Sequence, residues 1–318
     1  MKIATVTLNP AIDQTVRVDN FRTNTVNYAQ TMRFDAGGKG VNVASFLTDS
    51  GLTTSVTGFL GQENADIFEQ FFAHKHIDDQ FVRIPGLTRI GVKITDDANQ
   101  QTTDINMPGL PPPEGALDNL LKTIEQLALS CDWFALSGTL PPGVPATTYA
   151  TIINLLKGHG KHVVLDTSRD ALREAVVAGP TIVKPNVDEL QHLTGQSLTD
   201  DAAVEQAARR LLDGGIQLVV ISMGERGAMF VDSAHTLLAT PPSVMVKSTV
   251  GAGDAMVAGL IASHVQGLNL TDCARLATAF SLGAITSTGH NLPVPEIVQA
   301  YARQVTIRSS SSSVPRSA

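Results

Sequence analysis

The chain has 318 residues, 43% of them hydrophobic and 17% charged; that balance gives ample material for a core and excludes a disordered chain. A formal net charge of −7 with no Lys/Arg run excludes a nucleic-acid-binding surface. No stretch is long and apolar enough for a membrane span, and Met1-Lys2-Ile3-Ala4 leads into a strand pattern without a signal-peptide core, so a cytoplasmic protein is expected. Cys131 and Cys273 are far apart and lack CxxC partners, which points to packing residues rather than a disulfide or a zinc ribbon.

In chain order, a strand is predicted over 2–8, ending at the breaker pair Asn9-Pro10. Short β-branched and polar patterns over 14–32, and an alternating stretch over 89–106, predict a small β excursion from the main body. From residue 116 a clearer unit repeats: helix 116–130, strand 133–137, helix 145–158, strand 162–166, helix 169–178, strand 181–184 and helix 187–194. Helix 200–213 and strand 217–222 follow, then two long small-residue helices over 252–267 and 271–288. Strands alternating with helices of this length imply a largely parallel α/β sheet with helices on both faces, and ligands outside the carboxyl ends of its strands. The Ser-rich end, 306–318, reads as a disordered tail.

Five segments could carry chemistry. Gly251-Ala252-Gly253-Asp254 opens a helix; glycines let bare N–H groups converge where the helix adds partial positive charge, so a phosphoryl group could sit there. Asp254 could accept a proton from an attacking hydroxyl, with a pKa expected to be held low by that local field; an ordinary helix start explains the segment as well. Gly37-Gly38-Lys39-Gly40-Val41-Asn42 is not a Walker A loop, because Gly40 stands where that motif needs Ser or Thr. It suits a polyhydroxylated ligand or, equally, a helix cap beside an exposed Lys. Asn9 and Asp13 flank the end of the first strand and could accept bonds from sugar hydroxyls, although an Asx-turn accounts for Asn9-Pro10.

Lys184-Pro185-Asn186-Val187-Asp188-Glu189 follows an apolar strand; Asn186 and Glu189 fit a capping box and also the water-mediated ligation of Mg²⁺. Ser222-Met223-Gly224-Glu225-Arg226-Gly227 is a hairpin turn or a seat for a nucleotide. The segment starting Ser137-Gly138-Thr139 has the same ambiguity. The eight histidines form no HExxH, no GxSxG is present, and no GxGxxG follows the first strand as a dinucleotide-binding oxidoreductase requires.

Together and in this order, over about residues 1–305, these segments resemble the ribokinase-like, or phosphofructokinase B, family of carbohydrate kinases. The resemblance rests on Gly37, Gly38, Gly40 and Asn42, on Asn186 and Glu189, and on Gly251 to Asp254. It implies a three-layer α/β/α body with a β-sheet lid from about 14–32 and 88–107, which in some members pairs two copies into a homodimer. It also implies ATP as donor, Mg²⁺ as cofactor held by Glu189 through water, and Asp254 as base with Gly251, Ala252 and Gly253 as the anion hole. Lys184, Asn186, Ser222, Gly224, Glu225, Gly227, Ser248 and Gly253 would bind the nucleotide. Asn9, Asp13, Gly37, Gly38, Lys39, Asn42, Arg89 and Ser137 would bind the acceptor.

Thr7-Leu8-Asn9-Pro10-Ala11-Ile12-Asp13, Lys39 and Thr88-Arg89-Ile90-Gly91-Val92-Lys93 look most like the bacterial branch acting on fructose 1-phosphate. Arg89 is the candidate for the acceptor's phosphate, because a planar guanidinium matches phosphate oxygens. Val26-Asn27-Tyr28 lacks the basic residue that some relatives place there, which keeps fructose 6-phosphate and tagatose 6-phosphate as alternatives, with a non-catalytic sensor as a remote one.

Overall fold

The chain opens on strand β1 (Lys2–Thr7), buried on both faces from Ile3 onward, as expected of a central parallel strand. The computed structural model describes residues 1–247, 249–287 and 289–309. Strands β2 (Ala11–Arg17) and β3 (Thr31–Gly37) leave the body as an antiparallel pair, and α1 (Lys39–Asp49) returns to it. Next come β4 (Thr53–Gly61), α2 (Asp66–Lys75), β5 (Asp78–Asp79) and β6 (Val82–Ile84), before a second excursion by β7 (Ile90–Asp96) and β8 (Gln101–Asn106).

The repeating unit then runs α3 (Ala116–Leu127), β9 (Cys131–Ser137), α4 (Thr148–Gly158), β10 (His162–Asp166), α5 (Arg169–Val176), β11 (Ile182–Val183) and α6 (Val187–Thr194). It continues with α7 (Asp201–Leu212), β12 (Leu218–Ser222), β13 (Ala228–Val231) and β14 (Thr236–Thr240). Helices α8 (Ala252–Val265), α9 (Leu270–Thr286) and α10 (Pro295–Gln304) precede a last strand, β15 (Thr306–Ser309).

The main sheet has the order β15-β14-β13-β12-β11-β10-β9-β1-β4-β5, with β6 also on β4. It is parallel from β5 to β12 and antiparallel beyond. Successive side chains of β1 serve opposite layers. Ala4 and Val6 pack with Leu120, Tyr149, Leu172, Leu190 and Val204 of helices α3 to α7, whereas Ile3 packs with Phe46, Leu260 and Phe280 of α1, α8 and α9. Thr306–Ser309 pairs with β14, so the ordered body reaches Ser309, four residues into what the sequence suggested was tail; 310–318 lie outside the described residues.

Helix α8 is apolar all round and buried from Asp254 to Ser263, as a helix enclosed on every side must be. Gly259 permits its contact with α9, because a Cβ there would lie 2.7 Å from the Ala277 Cα.

The excursions form a separate four-stranded sheet, β3-β2-β7-β8, spanning Ala11 to Gly37 and Ile90 to Asn106. Its two faces differ. Val16, Met32, Phe34, Val92, Ile94 and Ile105 share one by register, and Asp13, Arg33, Asp35, Lys93 and Asn106 share the other. Where this sheet meets the body, Ile12, Ala36 and Ile90 pack with Phe68 and Phe72 of α2; farther out, Met32, Phe34 and Ile105 are exposed. No helix among the described residues is long and apolar enough to cross a membrane.

Candidate active site

An open cleft of about 400 Å³ lies between the carboxyl ends of the main-sheet strands and the polar face of the small sheet. That volume is in the range of small-molecule sites. Ala11 and Asp13 line it from β2 and Asn106 from β8; Asp166, Lys184 and Ser222 lie at or just past the ends of β10, β11 and β12. Gly38, Lys39 and Asn42 come from the start of α1, and Gly251, Gly253 and Asp254 from the start of α8.

Both helices thus aim their N-termini at one space. Neither start has a side-chain cap, since Gly38 and Gly251 occupy the N-cap positions, so first-turn amides without intrahelical acceptors face the cleft with partial positive charge. Gly251 has φ 82°, a left-handed conformation that glycine adopts without steric cost.

The Asp254 carboxylate is 6% exposed and its Oδ2 accepts a 2.8 Å hydrogen bond from Asn42 Nδ2. Asn42, read as an acceptor contact, therefore orients the candidate base. The expected low pKa of Asp254 is corrected: burial pushes it up and Asp166 adds to the rise, while Lys39, Asn42 and Lys184 oppose it. Dehydration of a buried charge outweighs the helix N-terminus here.

Asp166 is a site residue that the motifs did not include. Its carboxylate is 1% exposed and holds Lys39 Nζ at 3.2 Å and Lys184 Nζ at 3.3 Å. The two ammoniums offer N–H donors to phosphate oxygens, with Asp254 and Glu189 also acting on Lys39 through charge. Burial works against the charged form of Asp166, but Lys184 and Lys39 hold its carboxyl below the usual carboxylate range, and Asp166 in turn raises Lys39. Lys184 also reaches α8, its Nζ standing 3.4 Å from where a Gly253 Cβ would be. The available signal was position: Asp166 ends the apolar run Val163-Val164-Leu165, at the carboxyl end of a parallel strand.

Arg89 enters from the other side. Its Nη2 donates to the Asn9 carbonyl at 3.2 Å, and its buried Nε has no hydrogen-bond partner among the described residues. Asn9 itself stands back from the cleft, donating from Nδ2 to Thr139 Oγ1 at 3.1 Å. Gly37 makes room for Asp13, whose Oδ2 would lie 2.3 Å from a Cβ at that position. Ser137 is fully buried beside Asp166 in the ladder and does not line the cleft.

Where the nucleotide was expected, Asn186 and Glu189 form the capping box: Glu189 N–H donates to Asn186 Oδ1 at 2.8 Å, and Asn186 N–H to Glu189 Oε2 at 2.8 Å. Both residues line the cleft as well. Gly224, Glu225 and Gly227 are not in its lining; they form the turn of the β12–β13 hairpin, closed by the 2.8 Å bond from Met223 N–H to the Gly227 carbonyl. A Cβ on Gly227 would lie 1.9 Å from the Ala239 carbonyl oxygen, so close approach of β14 accounts for that glycine. Ala252 sits at the helix start without lining the cleft, and Ser248 lies outside the described residues.

Among the described residues no three carboxylate, His or Cys groups cluster as a metal cage. A Mg²⁺ ion would therefore need oxygens from phosphate and water beside a single protein carboxylate, an arrangement that suits this ion.

The pfkB family carbohydrate kinase model matches residues 6–297. The chain is 50% identical over 309 residues to the 1-phosphofructokinase of Rhodobacter capsulatus, covering 97% of this chain and 98% of the relative. It is 43% identical over 312 residues to the 1-phosphofructokinase of Xanthomonas campestris, with 96% and 98% covered. Phosphofructokinase-2 from Escherichia coli, solved in complex with potassium, superposes with a TM-score of 0.88 at 27% identity over 95% of this chain and 98% of that one. The cleft between the two sheets, with its paired helix N-termini and buried carboxylate, is thus part of a ribokinase-like fold, and the chain belongs to the pfkB family of carbohydrate kinases.

Proposed function

We propose that the chain transfers the γ-phosphoryl group of ATP to the C6 hydroxyl of fructose 1-phosphate, giving fructose 1,6-bisphosphate and ADP. The observation carrying this reading is the Asp254 carboxylate, held by Asn42 at the uncapped start of α8 in the same cleft as Lys39 and Lys184. The names of the relatives supply the sugar.

Asp254 accepts the hydroxyl proton as the oxygen attacks phosphorus in line. A carboxyl whose pKa is raised by burial is a stronger base once ionised, which suits this task. The amides of Gly251, Ala252 and Gly253 stabilise the equatorial oxygens of the transferring group, and Lys184 and Lys39 balance the phosphate charge. Glu189 keeps one oxygen on the Asn186 amide and has the other for a water on Mg²⁺, whose charge would screen the phosphates. The nucleotide extends from Lys184 and Asn186 toward Ser222, reaching the Gly224–Gly227 turn only with its outer end. Asp13 accepts from a sugar hydroxyl, and Arg89 offers its free N–H to the C1 phosphate.

The exposed apolar face bearing Met32, Phe34 and Ile105 suits a second copy of the chain, a homodimer through the small sheet acting as lid. The enzyme works in the cytoplasm on this reading. A coupled ADP-release assay giving kcat/KM for fructose 1-phosphate, fructose 6-phosphate and tagatose 6-phosphate tests it. Preference for either 6-phosphate sinks the assignment of the acceptor.

A further inference from the structure

His290 belongs to none of the recognised motifs, yet it stands between the two halves of the site. It lies on the segment joining α9 to α10, and α1 ties that segment down twice. Ser45 Oγ donates to the His290 carbonyl at 2.6 Å, and the Leu292 N–H donates to Asp49 Oδ2 at 2.9 Å. Asp49 is in turn paired with Lys75 of α2.

With its backbone held this way, the ring has little freedom. The side chain is 10% exposed, and Nε2 lies 3.6 Å from Asp13 Oδ2. Nδ1 is buried with no hydrogen-bond partner among the described residues, 3.7 Å from where a Cβ on Gly251 would be. The imidazole therefore wedges between the α8 N-cap and the one carboxylate of β2 that faces the cleft. Asp13 lies over Gly37 on one side and Gly91 on the other, two positions without side chains. Among the described residues the strands supply space for its carboxylate but no hydrogen-bond donor, and Arg89 acts on it through charge alone.

We propose that His290 is a positioning residue for the acceptor sugar: its Nε2–H fixes the rotamer of Asp13 so that the carboxylate meets a sugar hydroxyl. This rests on the reading of Asp13 as an acceptor contact. The 3.6 Å separation exceeds a hydrogen bond by about half an ångström, a gap that closes when the small sheet draws in on a bound sugar. The order lent to Asp13 belongs to acceptor binding and not to ATP binding.

The test is steady-state kinetics on His290→Ala, His290→Asn and His290→Gln, each also in an Asp13→Asn background, with KM measured separately for fructose 1-phosphate and ATP. His290→Ala should raise the sugar KM on the order of ten-fold, the worth of one hydrogen bond to a charged group, with the ATP KM unchanged. His290→Asn fills the inner part of the ring site without reaching Asp13, and should show the same defect even if the Ala variant fails to fold. Gln reaches as far as the imidazole Nε2 and should restore most of the affinity, and in the Asp13→Asn background His290→Ala should add nothing. An unchanged sugar KM in His290→Asn, or equal rises in both KM values without rescue by Gln, overturns the inference. Wild-type protein that turns over no phosphosugar overturns the proposed function and this inference together, whereas an active wild type with an unaffected His290→Asn variant sinks the inference alone.

Discussion

Replacing Asp254 by Asn removes a charge and a proton acceptor while leaving volume almost unchanged. The carboxylate is 6% exposed and bonded to Asn42 at 2.8 Å; the amide oxygen of the variant can take that same hydrogen bond, so the local packing survives. Burial raises the Asp254 pKa above its ordinary 3.8. A group raised in the folded state contributes stability that is fully present below its unfolded pKa and is lost as pH rises through the folded value. At neutral pH the native protein therefore bears the cost of ionising this residue, and the Asn variant does not. Tm should be unchanged or higher, while kcat falls by ~10²–10⁴-fold, equal to about 2.7–5.5 kcal/mol of transition-state stabilisation. Coupled ADP release measures kcat, scanning fluorimetry measures Tm, and calorimetry measures ATP affinity, which should not move. The wild type should also lose kcat/KM as pH falls through the raised Asp254 value, an acid limb missing from the variant. Near-normal turnover, or a loss of turnover that tracks a falling Tm, would refute the base assignment.

Arg89→Ala should raise the KM for fructose 1-phosphate at least ten-fold, since hydrogen bonds to charged groups are worth about 1.5–3 kcal/mol, and leave the ATP KM alone; an unchanged sugar KM moves the phosphate site elsewhere. Asp166→Asn strips the counter-charge from Lys184, whose side chain is 5% exposed. Urea unfolding should show a loss of about 3–5 kcal/mol, and a loss below 1 kcal/mol contradicts the charge clamp. Because the folded pKa of Asp166 is lowered, its stabilisation is present above the unfolded carboxylate pKa and disappears as pH falls through the folded one. Glu189→Gln preserves the capping box and Glu189→Ala loses it at about 1 kcal/mol. Both should raise the Mg²⁺ concentration needed for half-maximal rate, and a normal Mg²⁺ response in the Gln variant confines Glu189 to capping. Phe34→Asp should convert a dimer to a monomer by light scattering, and an unaltered mass excludes that face.

The alternation of strand and helix from residue 116 was legible because each element buries one stripe of its own residues, a local property. The antiparallel strand Thr306–Ser309 was not, because its pairing with β14 depends on a partner distant in sequence. The approach of Gly251, Gly253 and Asp254 to the cleft could be read from one contiguous glycine-rich run at a helix start. Asp166 and His290 could not, since a lone Asp after a strand and a lone His in a loop look like many others until the fold brings Lys39, Lys184 and Asp13 beside them. The direction of the Asp254 pKa went astray for a related reason: the helix start is written in the sequence, but the depth of burial is not.

Helix α8 has no free side, and even Gly259 is fixed by the approach of Ala277. The proposed base and anion hole grow from a helix enclosed on every side, whereas Asp13, Arg89 and Asn106 belong to or adjoin a thin sheet whose outer strands carry exposed residues. On the proposed reading, a change of acceptor sugar needs substitutions at only a few positions on that sheet, whereas a substitution in α8 disturbs packing on every side of the helix.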